Sequence, residues 1–147
     1  MSKFFKMEEF TRSRTAEALK IKNTPSKAQK ELIEWVMVEI ADRIREKIGG
    51  PLYITSGFRS EKLNRAVGGV EDSYHSYNDR KWAFDCVAKE LSLDSLMETI
   101  ISLSLPVDKL ILESDQGCVH VQGKRPDYLY REVISGKKIY TQYKVKA

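Results

Sequence analysis

The sequence predicts an α+β fold, and three observations carry that prediction. Helical patterns crowd the first third of the chain. Short β-rich runs, bounded by Gly, Ser and Asp turns, dominate the rest. Helical and strand segments do not alternate in the regular way that builds a parallel sheet.

The elements follow in order. Residues 7–20 carry mixed charge around Phe10 and Leu19 and read as one short helix, which Asn23-Thr24-Pro25-Ser26 breaks. Ser26 and Gln29 make a capping-box pattern that starts a second helix. Leu32, Ile33, Val36, Met37, Ile40, Ile44 and Ile48 then recur mostly at three- and four-residue intervals, an amphipathic helix ending at Gly49-Gly50. Leu52-Tyr53-Ile54-Thr55 is β-rich and leads into a turn at Ser56-Gly57. Residues 60–67 allow one or two helical turns, closed by Gly68-Gly69. Ala83 to Val87 reads as a strand, Leu93 to Leu103 as an amphipathic helix stopped by Pro106. Lys109 to Leu112 and Cys118 to Gln122 read as strands joined by the turn Ser114–Gly117. A C-terminal hairpin is expected from Tyr130–Ile134 and Lys138–Tyr143, with Ser135-Gly136 between them.

Length and composition suit one soluble domain over 1–147. Two cysteines, Cys86 and Cys118, are too few for a disulfide framework. The opening MSKFFKMEEF meets acidic residues before any apolar run develops, so it does not read as a secretory signal. No apolar stretch approaches the roughly 18 residues of a membrane span. The expectation is a monomer made in the cytoplasm, with no membrane insertion. The net charge of +4 suits an anionic partner, but acids and bases are interleaved and no motif supports nucleic-acid binding.

The chain has two histidines. His75 lies in the polar loop Ser73-Tyr74-His75, and His120 lies between Val119 and Val121 in an apolar strand. Asp85 interrupts the apolar run Ala83-Phe84-Asp85-Cys86-Val87, where a carboxylate is costly unless it is paired or binds a metal. Two imidazoles and one carboxylate are a common protein set for catalytic zinc, with a fourth position left for water. On spacing alone, a salt-bridged aspartate beside two unrelated histidines fits better.

The neighbouring residues extend the pattern. Thr55-Ser56-Gly57-Phe58-Arg59-Ser60, Leu63-Asn64, Ala66-Val67-Gly68-Gly69-Val70, Ser73-Tyr74-His75, Ala83-Phe84-Asp85 and Val119-His120-Val121 occur in that order. Together they resemble the zinc D-Ala-D-Ala metallopeptidase family, in its carboxypeptidase-like branch of small carboxypeptidases and phage or bacterial murein peptidases. Phe10-Thr11-Arg12-Ser13, Asn23-Thr24-Pro25-Ser26 and Val107 to Glu113 prolong the likeness to about residues 5–122. The resemblance implies a small hedgehog/DD-peptidase-like domain, with N-terminal helices packed on a mainly antiparallel sheet. It implies one Zn2+ per chain on His75, Asp85 and His120. It puts Arg59 on the substrate, holding a carboxylate or polarising a carbonyl, and Ser73 in the site as a hydrogen-bonding partner. Its general base is a carboxylate shortly before the last histidine: Glu113, which ends the run Leu110-Ile111-Leu112, with Asp115 in reserve.

The implied substrate is the peptidoglycan stem peptide, cut by a D,D-carboxypeptidase or a murein endopeptidase of endolysin type. Action would then be at the bacterial cell wall or periplasm, reached by holin release or on a virion. The alternative is a degenerate domain of the same fold with a binding or structural role and no catalysis.

The chain departs from the family pattern S-x-H-x-x-G-x-A-x-D between His75 and Asp85, where residues 76–84 form a longer spacer without the glycine. Asn78-Asp79-Arg80-Lys81 is expected as a bulged loop at the rim of the site, and Asp79 becomes a competing ligand. Relatives often carry an aromatic residue at the position of Cys118, which shares a strand face with His120; it either approaches the metal or packs beneath it, and packing is the expectation. Cys86 is expected to face the core, opposite to Asp85.

Overall fold

The computed structural model describes residues 1–126 and the backbone of two further strands, 130–134 and 137–141. The regular elements of the first 50 residues are all helices. α1 (Met7–Thr11) and α2 (Arg14–Leu19) replace the single helix expected over 7–20. The break lies at Arg12, whose backbone is extended (ψ 143°), and Ser13 restarts the helix by accepting a hydrogen bond from Ala16 N at 3.1 Å. Ending α1 there also leaves the Phe10 carbonyl free for Phe58 N, 2.7 Å away, which ties the helix to the chain following the first strand.

The capping box at Ser26 and Gln29 forms as expected and opens α3 (Lys27–Val36). A π-helical turn, Met37–Ala41, joins it to α4 (Asp42–Ile48), which ends at Gly49. The buried Asp42 carboxylate takes hydrogen bonds from Ser2 Oγ, Lys3 N and Phe4 N at 2.8, 2.7 and 3.1 Å. It thereby holds the N-terminal segment against the long helix.

The sheet contains β1 (Leu52–Ser56), β2 (Lys81–Ala88), β3 (Lys109–Glu113) and β4 (Cys118–Lys124), in the order β1-β2-β4-β3. Every pairing is antiparallel. Between the strands lie α5 (Glu61–Ala66), a 3₁₀ turn at Tyr74–Ser76, and α6 (Leu93–Ser102). This is the α+β architecture the sequence predicts.

The period of two along β2 and β4 sorts residues onto two faces. Trp82, Phe84 and Cys86 of β2 join Val119 and Val121 of β4 in the core with Phe10, Ile33, Val36, Ile40 and Ile44. Fully burying a side chain of this size contributes about 1.5–3 kcal/mol, so this face dominates stability. Cys86 lies in that core, as expected. The other face carries Ala83 and Asp85 from β2, and Cys118, His120 and Gln122 from β4. The register sets Asp85 opposite His120, and His120 opposite Ile111 of β3.

Strands β5 (Tyr130–Ile134) and β6 (Lys137–Thr141) pair antiparallel, as the expected hairpin requires. Its turn, Ser135-Gly136, and its last residues, 142–143, lie outside the described residues. No helix among the described residues is long and apolar enough to cross a membrane.

Candidate metal centre

Strand register builds most of the site. Asp85 and His120 face each other across β2 and β4, and Asp85 Oδ1 lies 2.8 Å from His120 Nδ1. His75 comes from the 3₁₀ turn after Ser73, with its Nε2 3.7 Å from Asp85 Oδ2. All three side chains are buried, and one donor atom from each lies within 4.8 Å of the others.

The second nitrogen of each imidazole is anchored. His75 Nδ1 is 2.7 Å from the Gly57 carbonyl, and His120 Nε2 is 2.8 Å from Gln122 Oε1. With protons on those nitrogens, each ring donates to an oxygen; His75 turns Nε2 toward Asp85, and His120 Nδ1, which in the metal-free site donates to Asp85 Oδ1, becomes a ligand atom once that proton is lost. Such outer hydrogen bonds fix tautomer and orientation in histidine metal sites. Two imidazole nitrogens and a carboxylate, preset in this way, fit a zinc ion with an open fourth position.

The turn after β1 supplies the rest of the wall. A Cβ on Gly57 would run into the Phe10 carbonyl oxygen, so glycine lets α1 and this turn pack in contact. Arg59 N then donates to the His75 carbonyl at 2.8 Å. The Arg59 side chain meets Asn64, Nη1 to Oδ1 at 3.3 Å, and Asn64 Nδ2 donates to the Val70 carbonyl at 2.8 Å. Gly69 closes over Asn64 so tightly that a Cβ would strike its amide oxygen. Sequence reasoning assigned no role to Asn64 or Gln122. Gln122 was within reach, being two residues from His120 on one strand face.

Electrostatics distinguishes the two histidines. Burial, and after it the Arg59 guanidinium, push His75 down to about 4 despite Asp85 and the Gly57 hydrogen bond. Burial also works against charging His120, but its hydrogen bonds to Asp85 and Gln122 outweigh it and hold its pKa above the ordinary 6.5. The Arg59 pKa is lowered by burial, with Asp85 and Glu113 pulling the other way.

A family model described as Peptidase M15 matches residues 3–122. The chain belongs to the peptidase M15 family. Peptidases of this family are zinc-dependent metallopeptidases, and the donor set described above is a group that could hold such an ion. No curated protein and no solved structure matches the chain.

The M15 fold places the remaining expected residues as follows. Glu113 ends β3, paired with Cys118, and offers an oxygen within 4.8 Å of Asp85 and the Cys118 sulfur. Asp115 lies exposed in the turn beyond it. The Ser73 hydroxyl accepts from His75 N at 3.2 Å, capping the turn that carries the histidine. Cys118 is buried, 3.9 Å from Glu113 Oε2, and burial, then Asp85 and Glu113, push its thiol up to about 12. It packs as a protonated thiol.

The spacer 76–84 corrects one expectation. Lys81 belongs to β2, paired with Lys124, and only residues 78–80 turn outside the strand. That turn docks on α3 through Gln29 Nε2, which donates to Asn78 Oδ1 at 3.0 Å and to the Ser76 carbonyl at 3.1 Å. Asp79 is exposed, in left-handed backbone (φ 53°), outside both donor groups found among the described residues. Tyr77 holds the spacer from inside. Its ring lies edge-on to Phe58, and its hydroxyl donates to the Ala83 carbonyl at 2.8 Å. The extra residues are absorbed as an anchored turn and a longer strand.

Proposed function

We propose that this chain is a zinc peptidase of the bacterial cell wall, hydrolysing peptidoglycan stem peptides. The observation that carries the reading is the gathering of His75, Asp85 and His120 on one sheet face of an M15 chain, with Glu113 and Arg59 acting on the same space. His75 Nε2, Asp85 and His120 Nδ1 would hold the ion. Zinc supplies Lewis acidity, which makes water a nucleophile near neutral pH and polarises the scissile carbonyl.

The protein's own groups do the rest. Glu113 takes the proton from the attacking water and returns it to the departing amine. Arg59, braced by Asn64, receives the substrate carboxylate, which a guanidinium can bind through two parallel hydrogen bonds. Its partial burial strengthens that contact by keeping water away. Ser73 serves the site by capping the His75 turn, and its hydroxyl proton remains to be donated.

The experiment is digestion of purified peptidoglycan with the zinc-loaded protein, with new termini identified by mass spectrometry and zinc measured on the same sample. We expect one zinc per chain and loss of a terminal D-Ala or cleavage within the stem. Glu113→Gln should retain zinc and fold while its activity falls about 100- to 10,000-fold. His120→Ala should lose zinc and activity together. Zinc bound without any hydrolysis would favour a binding domain of the same fold, and a dead Asp115→Asn beside an active Glu113→Gln would move the base to Asp115.

A further inference from the structure

A cleft of about 870 Å³ runs beside the metal centre, between α2 and β1. One wall is Arg12 to Thr15 with Glu17, and the other is the continuous stretch Tyr53 to Arg59. Its volume lies in the range of ligand-binding sites, although neither metal-ligand histidine lines it.

Three features give the cleft a direction and an occupant. First, among the described residues β1 is an edge strand, paired with β2 alone, so its other edge is open for a further strand. Four residues of that strand, Tyr53 to Ser56, line the cleft and span about 13 Å, the length of four extended peptide residues. Second, the cleft reaches two residues that hold His75 of the candidate metal centre. Gly57 and Arg59 line it, while the Gly57 carbonyl holds His75 and Arg59 N bonds the His75 carbonyl. Third, its charged lining is Arg12, Arg14 and Arg59 against Glu17 alone. Neither Arg12 nor Arg14 forms an ion pair with another described residue. The exposed side chains of Tyr53 and Val67 add apolar surface at the same place.

We propose that this cleft is a substrate subsite that receives an acidic peptide in extended form. The peptide backbone adds to the open edge of β1 and runs toward Arg59, and Arg12 and Arg14 receive a carboxylate two to three residues from the scissile bond. Backbone pairing at a sheet edge supplies sequence-tolerant affinity, and the two guanidinium groups supply the selection for negative charge. The proposal rests on the peptidase reading for the identity of the occupant, but the cleft can be tested without catalysis.

The test is fluorescence anisotropy with a labelled five-residue peptide carrying one side-chain carboxylate, measured on the zinc-loaded Glu113→Gln protein. Three comparisons are made: the matching amide peptide, a peptide with N-methylated backbone, and the Arg12→Gln/Arg14→Gln double variant in the same background. We expect the amide peptide and the double variant each to bind about 5- to 10-fold more weakly, with little further loss when the two are combined. N-methylation should weaken binding about tenfold. Equal affinity for acid and amide peptides, or undiminished binding to the double variant, overturns the charge selection. Full affinity of the N-methylated peptide overturns the strand addition. Hydrolysis of peptidoglycan with no such peptide selectivity would sink the subsite and leave the peptidase reading standing. Selective binding without hydrolysis would do the reverse.

Discussion

Tyr77→Phe tests how the long spacer keeps His75 and Asp85 together. The substitution keeps the ring against Phe58 and removes only the hydroxyl, which donates to the Ala83 carbonyl two residues before Asp85. Tyr77 and Ala83 are both buried, so no water readily replaces the donor. A hydrogen bond contributes about 0.5–1.5 kcal/mol net, and a buried group left without its partner costs up to about 3. We therefore expect about 1–2 kcal/mol of destabilisation. With a urea m-value of about 2 kcal/mol/M, the midpoint should fall by roughly 0.5–1 M. The assay is equilibrium unfolding of the metal-free protein, because bound zinc would stabilise the folded state by mass action and mask the change. A competition titration should show zinc affinity reduced severalfold, since the spacer between two ligands has lost an anchor. Unchanged midpoint and unchanged zinc affinity would refute the claim that Tyr77 sets the spacer.

Three further outcomes are expected. In metal-free protein the two imidazoles should titrate apart by NMR, His75 near 4 and His120 above 6.5. Because the folded-state pKa of His75 is depressed, its contribution is present above about 6.5 and is lost as pH falls through about 4, by up to about 3 kcal/mol. His120, whose pKa is raised, acts in the opposite sense: its contribution is present below 6.5 and is lost as pH rises through its folded value. A single shared titration near 6.5 would contradict this. Asp42→Asn weakens three hydrogen bonds to the N-terminal segment and should cost about 1.5–3 kcal/mol, a fall in Tm of about 4–8 °C by calorimetry. Gly69→Ala drives a Cβ into Asn64 and frees Arg59, so KM for stem peptide should rise while zinc content stays at one per chain. An unchanged KM would remove Asn64 as the brace of Arg59.

Much of this protein was legible in its sequence, for local reasons. Ser26 with Gln29 foretells a helix start because the cap is made by residues three apart. The period of two along each strand foretells that Cys86 faces the core, opposite to Asp85, and that Cys118 shares a face with His120. The ordered motifs from Ser56 to His120 point to the M15 family, and the family model bears that out. Neighbouring residues alone define the helices more coarsely. One helix was expected over 7–20, but a close contact between Phe10 and the turn at Gly57 and Phe58, distant in sequence, ends α1 at Thr11.

Only the tertiary structure decided the rest. No local pattern could show that Tyr77 reaches Ala83, that Gln29 holds Asn78, or that Gly57 and Gln122 orient the two imidazoles. These contacts join segments whose separation along the chain carries no periodic signal, and each exists only once strand register has been set. Glu113 already stands ahead of Asp115 in the sequence because it ends the run Leu110-Ile111-Leu112; pairing of β3 with β4 adds that Glu113 lies beside Cys118 and Asp85 while Asp115 sits in the solvent-exposed turn. Chemistry is written into residue types, but which side chains meet is determined by packing.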